Sequence, residues 1–445
     1  MLPRRFALLP LIVGGCYMTG GQVLIIGGLH FYFLRVLILF ALARIIIRRE
    51  VFTVRPNAID WVLLAWLSVS SFLYLLFDGT NVTLVNRLGY AFDVAGTYAL
   101  VRSSVRTKDD IVFIVKSCAV VVIPLGVLFV IEGVTGRNPF AGFGGVPVLS
   151  EVRDGRVRCQ GPFEHAILAG TFGATLMPLF FGLWVNNKEN RLLATCAIVA
   201  ATAIVIASGS SGPLMAFGAA VAGLICWLFR NNMRLVRWGI GTAFVALIVA
   251  MKAPVWFVIS RISDLTGGSG WYRSELIDSA IRHLDEWWLI GTGYTAHWMP
   301  TGISADPNSA DIVNEFIAQG VRGGLLSLLL FVWMIVKCFK TVGSAVHETS
   351  DLNLGMRALI WTLGCGLVAH VASFFSVSYF DQMIIFWYLV VGMIAALSHR
   401  TGEVSVDRRA SRPATPDALV STKSHLAFGR TTSGESKSAF FQRRR

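Results

Sequence analysis

Long apolar runs recur along almost the whole chain, separated by short polar stretches. A helix that crosses a bilayer needs roughly 17–25 such residues. A window reading finds about twelve runs of that kind. They lie near 6–28, 30–47, 58–77, 85–104, 110–133, 162–185, 191–208, 212–229, 235–258, 312–336, 356–376 and 379–397. The short segments of alternating polarity that mark a membrane β-barrel are absent. The pattern predicts an all-α integral membrane protein with two sizeable extracytoplasmic loops. Helices 1–5 occupy 1–133, a first outer loop 134–161, helices 6–9 162–259, a large outer loop 260–311 and helices 10–12 312–398. The remainder, 399–445, reads as a disordered basic tail, poor in large apolar residues.

Composition agrees. Of 445 residues 55% are hydrophobic and only 15% charged, against roughly 25% charged in soluble domains. The mean hydropathy is +0.64. Charge then sets the orientation. With the N-terminus inside, the cytoplasmic connections hold Arg48, Arg49 and Arg55; Arg102, Arg106 and Lys108; Lys188 and Arg191; Arg230, Arg234 and Arg237; Lys337 and Lys340. Every lysine in a connecting loop falls inside, as the positive-inside rule requires. Both termini are therefore expected in the cytoplasm. The net charge of +13 sits on these loop edges and on the tail, so it points to lipid headgroups and not to nucleic acid. Six of the seven cysteines fall in expected spans and Cys159 near the outer face, and no disulfide framework or metal spacing emerges. Cys16, after Val13-Gly14-Gly15, lies inside an apolar run that continues past it, which reads as an uncleaved first span. No phosphate-binding loop of the ATPase type is present.

The outer loops carry the candidate chemistry. Short turns suffice to join helices, so a loop as long as 260–311 has a task of its own. Its basic groups are Arg261, Arg273 and Arg282, and those of the first loop are Arg137, Arg153, Arg156 and Arg158, with no lysine in either. Orientation alone does not distinguish the two cations, whereas bidentate binding of phosphate oxygens favours the planar guanidinium. The bias predicts a diphosphate-binding cleft at the outer face; a general preference for arginine is the bland alternative. Arg273 opens an amphipathic segment, 274–290, with Leu276, Ile277, Ala280, Ile281, Leu284, Trp287 and Trp288 at helical spacing. The tryptophan pair predicts a helix lying at the membrane interface. Arg273 and Arg282 are expected to project from it at similar angles. Gly291-Thr292-Gly293 follows as a tight loop, or simply ends the helix.

At these residues a resemblance becomes legible. Arg158, Gly161-Pro162-Phe163-Glu164-His165 and the small-residue span ending in Pro178 resemble the Arg…Gly-x-Phe element of the O-antigen ligase and Wzy-type polymerase superfamily. Arg273 followed by Trp288-Leu289-Ile290-Gly291-Thr292-Gly293-Tyr294 is similar to that superfamily's Pro-Leu-x-Gly-x-Gly sequence. Gln319-Gly320-Val321-Arg322-Gly323-Gly324-Leu325 is similar to its Gly-x-x-Gly-Leu motif at the start of a span. The motifs cover roughly 150–340, and their joint order is more specific than any one of them. The resemblance implies a GT-C-like bundle that moves a glycan from undecaprenyl diphosphate to an acceptor hydroxyl at the outer face of a bacterial inner membrane. Neither nucleotide sugar, metal nor other cofactor is implied. The expected partners are the lipid-linked glycan donor, a glycan or lipid-linked acceptor, membrane lipids and other polysaccharide assembly or export proteins. Arg158 and Arg273, then Arg282, are the candidates for stabilising the departing diphosphate. Arg156, His165, Gly291, Gly293, Glu315 and Arg322 are candidates for substrate contacts.

The chain also departs from the pattern. The His-Asn-like pair of the ligases would fall at Ser309-Ala310, and their Ser-Arg-Gly after the seventh span is Ser210-Ser211-Gly212 here. Asp311 and Glu315, a helical turn apart, are candidates to take the acceptor proton instead, as are His165 and His297. Arg282 and Gly293 match an Arg-x10-Gly motif of some polymerases, while Arg158 to Gly170 misses it by one. These features lean toward repeat-unit polymerase over lipid A-core ligase. A transporter or flippase, or a non-catalytic export partner, is the rival class; no internal repeat of the transporter kind is visible. Arg35, Asp93, Glu132, Glu164, Lys252 and His370 lie in or near expected spans and call for partners in the bundle or a proton path.

Overall fold

The computed structural model describes residues 3–26, 29–50, 54–77, 79–153, 155–266, 270–299, 307–349 and 353–410. Nearly all ordered structure among them is helical. Among the described residues, seven helical stretches are long and apolar enough to cross a membrane: Ala58–Leu76, Lys108–Thr135, Ala166–Asn186, Lys188–Ala207, Ser211–Ala250, Glu315–Glu348 and Leu354–Phe374. The protein is a multi-pass helical membrane protein; against the about twelve spans expected, seven such stretches stand among the described residues, Ser211–Ala250 running across two of the expected ones.

The largest difference is at the N-terminus. The two apolar runs there form a short helix α1 (Leu9–Tyr17), a hairpin of β1 (Val23–Ile26) and β2 (Leu29–Tyr32), and α2 (Phe33–Ile47). The strands pair antiparallel from Val23↔Tyr32 to Ile26↔Leu29. β-branched and aromatic residues flank Gly27-Gly28 in this sequence, which is hairpin chemistry. A hydropathy window sums apolarity without regard to such local signals. Helices α3 (Ala58–Phe77) and α4 (Asn81–Ser104) follow. The charges on α4 find partners in the bundle: Asp93 pairs with Arg35 at 3.0 Å and Arg102 with Asp60 at 2.8 Å.

α5 (Lys108–Thr135) starts at a capping box made by Thr107 and Asp110, which satisfies the free amides of the first turn. The segment expected as the first outer loop holds the hairpin β3 (Glu151–Arg153) and β4 (Arg156–Arg158). α6 (Ala166–Asn186) is the most buried span. Glycines and alanines on it allow close approach of α7 (Arg191–Ala207), α8 (Ser211–Ile225) and α14 (Leu354–Phe374). α8 leads through a 3-10 stretch, Cys226–Asn232, into α9 (Met233–Ala250).

The segment expected as the large outer loop is mostly helical: α10 (Val258–Thr266), α11 (Gly270–Arg282), α12 (Leu284–Trp287) and a 3-10 turn at Ala296–Trp298. The single amphipathic helix expected over 274–290 breaks at His283, which leaves helical backbone angles. Leu276, Ala280, Trp287, Trp298, Met299, Ala310 and Ile317 form a core separate from that of the bundle. The tryptophan pair is divided, since Trp287 is buried in this core and Trp288 is half exposed. α13 (Glu315–Glu348) bends at Gly323-Gly324. α15 begins at Met383 and runs to Ala410, so the first residues of the expected tail are helical, while 411–445 lie outside the described residues. His370, expected deep in a span, is fully buried on α14 and contacts the Tyr379 hydroxyl at 2.8 Å.

Candidate functional site

Arg158 is placed by the backbone on its C-terminal side. The Cys159 amide donates to the carbonyl of Ala207, the last residue of α7, at 2.9 Å. The next two amides, of Gln160 and Gly161, donate to the two carboxylate oxygens of Glu132 at 3.0 and 2.9 Å, and the Ser150 hydroxyl adds a third bond at 2.8 Å. Glu132 is completely buried near the end of α5. A buried carboxylate is tolerable only when donors saturate it in this way. Its role is thus to pin both ends of the β3–β4 hairpin against the bundle. Within the hairpin, Glu151 stands opposite Arg158 and Arg153 opposite Arg156. Side chains alternate along a strand, so these four charged residues share one face and Val152 and Val157 the other.

From that face the Arg158 guanidinium bonds to Glu151 and to the Ser210 hydroxyl, both at 2.8 Å. Ser210 stands at the N-cap position of α8, in the turn after α7, without a side-chain capping bond. Gly209 in this turn has φ +56°, and the Arg158 stem lies 3.1 Å from where a Cβ would sit. Glycine therefore provides both the left-handed backbone and the room for the arginine.

Arg273 arrives from the other loop. It is buried on α11, and its Nη1 donates to the Ser211 hydroxyl at 3.3 Å. Among the described residues no carboxylate pairs with it, and its Nε has no partner. Burial, followed by repulsion from Arg153 and Arg158, pulls its pKa down to about 10. Two guanidiniums thus meet at the N-terminus of α8, with Arg153 near enough to repel Arg273 and Glu151 the one carboxylate bonded to the pair among the described residues. A helix N-terminus presents free amides and positive potential. The arrangement is suited to an anion with several oxygens.

The remaining candidates are distributed more widely. Arg282 is not in this cluster; it is exposed and paired with Glu275 and Asp278 on its own helix. Nine positions at about 3.6 residues per turn make about two and a half turns. Arg282 therefore leaves α11 on the side opposite Arg273, which corrects the expectation of similar angles. Arg156 is exposed on the arginine face of the hairpin. Glu315 is buried and already accepts from the Gln319 side chain at 2.6 Å and from the Tyr379 amide at 2.7 Å. Its environment also includes Arg322 and Arg87, so it serves the bundle and is not presented to a ligand. Asp311 lies before α13, not on it, because the helix starts at Glu315 with Asn314 as its cap. Asp311 is exposed; partial desolvation raises its carboxyl, with His165 acting in the opposite direction. The Tyr272 hydroxyl holds its backbone carbonyl at 2.9 Å.

The motif glycines have a docking role. Gly291 has φ +96°, and a Cβ there would strike the Val321 carbonyl, which instead accepts from the Thr292 amide at 2.9 Å. Gly324, with φ +66°, likewise lies against Leu289, and the Leu325 amide donates to Trp288 at 2.8 Å. The two glycine motifs meet backbone to backbone and fasten the α10–α12 segment to the bend of α13. Gly293 lies in the following turn, where Thr292 Oγ1 accepts from the Tyr294 amide at 3.3 Å.

Sequence reasoning missed Ser210 and Ser211 as recipients of the two arginines, and Asp381 altogether. Asp381 accepts from the Glu164 amide at 3.3 Å. Burial and the nearby Glu164 charge push its carboxyl up to about 7. Its neighbours Phe380, packed edge-on to the His165 ring, and Gln382, which bonds the Pro162 carbonyl at 3.0 Å, tie the 379–382 turn to the motif before α6. No family model matches the chain, and no curated protein matches it.

Proposed function

We propose that the protein is a bacterial membrane glycosyltransferase of the polysaccharide polymerase and ligase type, acting in repeat-unit polymerisation of O-antigen or another exopolysaccharide. The donor is a glycan on undecaprenyl diphosphate and the acceptor a glycan hydroxyl, at the periplasmic face of the inner membrane with both chain termini in the cytoplasm. The observation that carries this reading is the convergence of Arg158 and Arg273 on Ser210 and Ser211, with no carboxylate on Arg273 among the described residues. A buried cation without a counter-charge costs several kcal/mol, and a diphosphate bound there offsets that cost.

In the proposed reaction the acceptor oxygen bonds to the anomeric carbon as the bond from that carbon to the diphosphate oxygen breaks. The electron pair leaves with the diphosphate, whose growing charge Arg158 and Arg273 stabilise. One such donor is worth about 2–4 kcal/mol in comparable oxyanion sites. The hydroxyl proton passes to Asp311, an exposed carboxyl with a raised affinity for it. The serine at 211 stands where the ligases carry arginine, and Arg273 brings a guanidinium to that position from another loop.

The test is reconstitution with a synthetic undecaprenyl-diphosphate glycan, following chain extension. The wild type extends the glycan, and Arg158→Ala and Arg273→Ala each lose about 100- to 1000-fold in rate. Extension that survives both substitutions refutes the site. Transfer only to lipid A-core assigns the protein to the ligases, and movement of the lipid without transfer assigns it to the transporters.

A further inference from the structure

The structure contains a second cluster of chemically capable side chains, away from the arginines and unused by the proposed transfer. One atom each of His283, Glu286 and His297 able to bind a cation lie within 4.8 Å of one another. His283 follows α11, Glu286 is on α12, and His297 is in the 3-10 turn beyond the Gly291 docking point.

Each of the three is oriented by a further contact. His283 Nδ1 lies 2.8 Å from the Ser279 carbonyl. A carbonyl only accepts, so Nδ1 carries the proton and Nε2 keeps its lone pair. The Trp298 indole donates to Glu286 Oε2 at 3.0 Å, leaving Oε1 directed at His297 Nε2, 2.9 Å away. The His283 ring stacks on Trp298, and the His297 ring on Tyr294. Ligands whose second atom is held by a backbone carbonyl or an indole are what preorganised metal sites show. Trp298 is itself buried in the core of the outer segment, so the cluster rests on a packed base.

We infer that His283, Glu286 and His297 form a binding site for a divalent transition cation of the zinc type. Two imidazole nitrogens and one carboxylate oxygen suit such an ion, with a further position left for water. The cation takes the place of the proton shared by His297 and Glu286. It joins α12 to the turn at 296–298, and so closes the segment that continues from α11 and its Arg273. The sequence reading found no metal site because it looked for cysteine spacing; His283-x-x-Glu286 places two ligands one helical turn apart, and His297 comes from the far side of a loop.

The experiment uses the full-length protein, purified without a histidine tag, in detergent. It is equilibrated with zinc chloride or cobalt chloride, desalted and analysed for bound metal and for the visible spectrum of cobalt. The wild type should retain about one equivalent of zinc, with intense cobalt bands of a low-coordinate site, and should melt at a higher temperature when loaded. His283→Gln and His297→Gln should lose the equivalent, the bands and the thermal shift, while His165→Gln keeps all three. Unloaded melting temperatures show whether each variant is folded. Retention no greater in the wild type than in a His283→Gln/His297→Gln double variant overturns the site. So does a cobalt spectrum of the weak, fully hydrated kind that all variants share.

Discussion

Arg158, on the β3–β4 hairpin, and Arg273, on α11, donate to the hydroxyls of adjacent residues, Ser210 at 2.8 Å and Ser211 at 3.3 Å. They differ in their counter-charge. Arg158 also holds Glu151 at 2.8 Å, whereas no carboxylate pairs with Arg273 among the described residues. The first is partly neutralised, and the second is left without a counter-charge among the described residues.

That difference predicts opposite effects on stability and activity at position 273. Arg273→Met fills similar space and removes a desolvated charge lying near Arg153 and Arg158. Replacing unpaired buried charge with an apolar group of similar volume is neutral or stabilising. The variant should melt at or above the wild-type temperature while glycan transfer falls about 100- to 1000-fold. A variant that melts well below the wild type shows that Arg273 is held for the fold.

Glu132 is the anchor behind Arg158. Glu132→Gln keeps the shape but turns one acceptor oxygen into an NH2 group that faces a donor. Either the Gly161 amide then loses its acceptor, or the Gln160 amide and the Ser150 hydroxyl, which share the other oxygen, both do. An unsatisfied buried donor costs about 1–3 kcal/mol. Thermal unfolding should report that loss, and transfer activity should fall with it as the hairpin loosens. Unchanged melting would mean that the hairpin does not depend on this carboxylate.

The glycine motifs give a prediction about the outer segment. Gly291→Ala and Gly324→Ala each place a Cβ against backbone, at Val321 and at Leu289, on a left-handed residue. Strain of this kind is of order 1–3 kcal/mol. Both variants should become more sensitive to protease within the outer segment. Gly239→Ala, in the middle of α9 with nothing near its Cβ position, should be neutral or slightly stabilising, since alanine is the better helix former. Equal sensitivity in all three would argue against docking through the motifs.

How far the chain could be read in advance depended on the range of the interaction. The spans from Lys108 to Ala207 and from Leu354 to Phe374 show up in a window because helix burial in apolar surroundings is a local property. The β1–β2 hairpin was lost in the same average, since strand and helix are equally apolar there. Arg158 and Arg273 were visible through the arginine bias, but not their shared destination. Ser210 and Ser211 carry no mark of their own, and contact across loops is not a periodic signal. Arg282 was misjudged by its angle, which helix geometry alone corrects. Asp381 was overlooked because only burial and the proximity of Glu164 distinguish it from any loop aspartate.

Asp381 supplies a pH dependence with a definite sign. Its folded carboxyl titrates near 7, raised first by burial and then by the Glu164 charge, with amide bonds from Glu164 and Gln382 acting against the rise. In the unfolded chain an aspartate titrates at about 3.9. Between these values the folded protein holds a proton that the unfolded chain has released, so stability falls as pH rises through this window and levels off above it. Asp381→Asn removes the titration and suits the left-handed backbone, φ +53°, which asparagine tolerates. The variant should match the wild type in melting temperature near pH 4 and exceed it near pH 8. The quantity to measure is the wild-type-minus-variant difference, because groups remote from Asp381 titrate equally in both proteins. A difference that stays constant from pH 4 to pH 8 would show that Asp381 ionises in the fold as it does in the open chain.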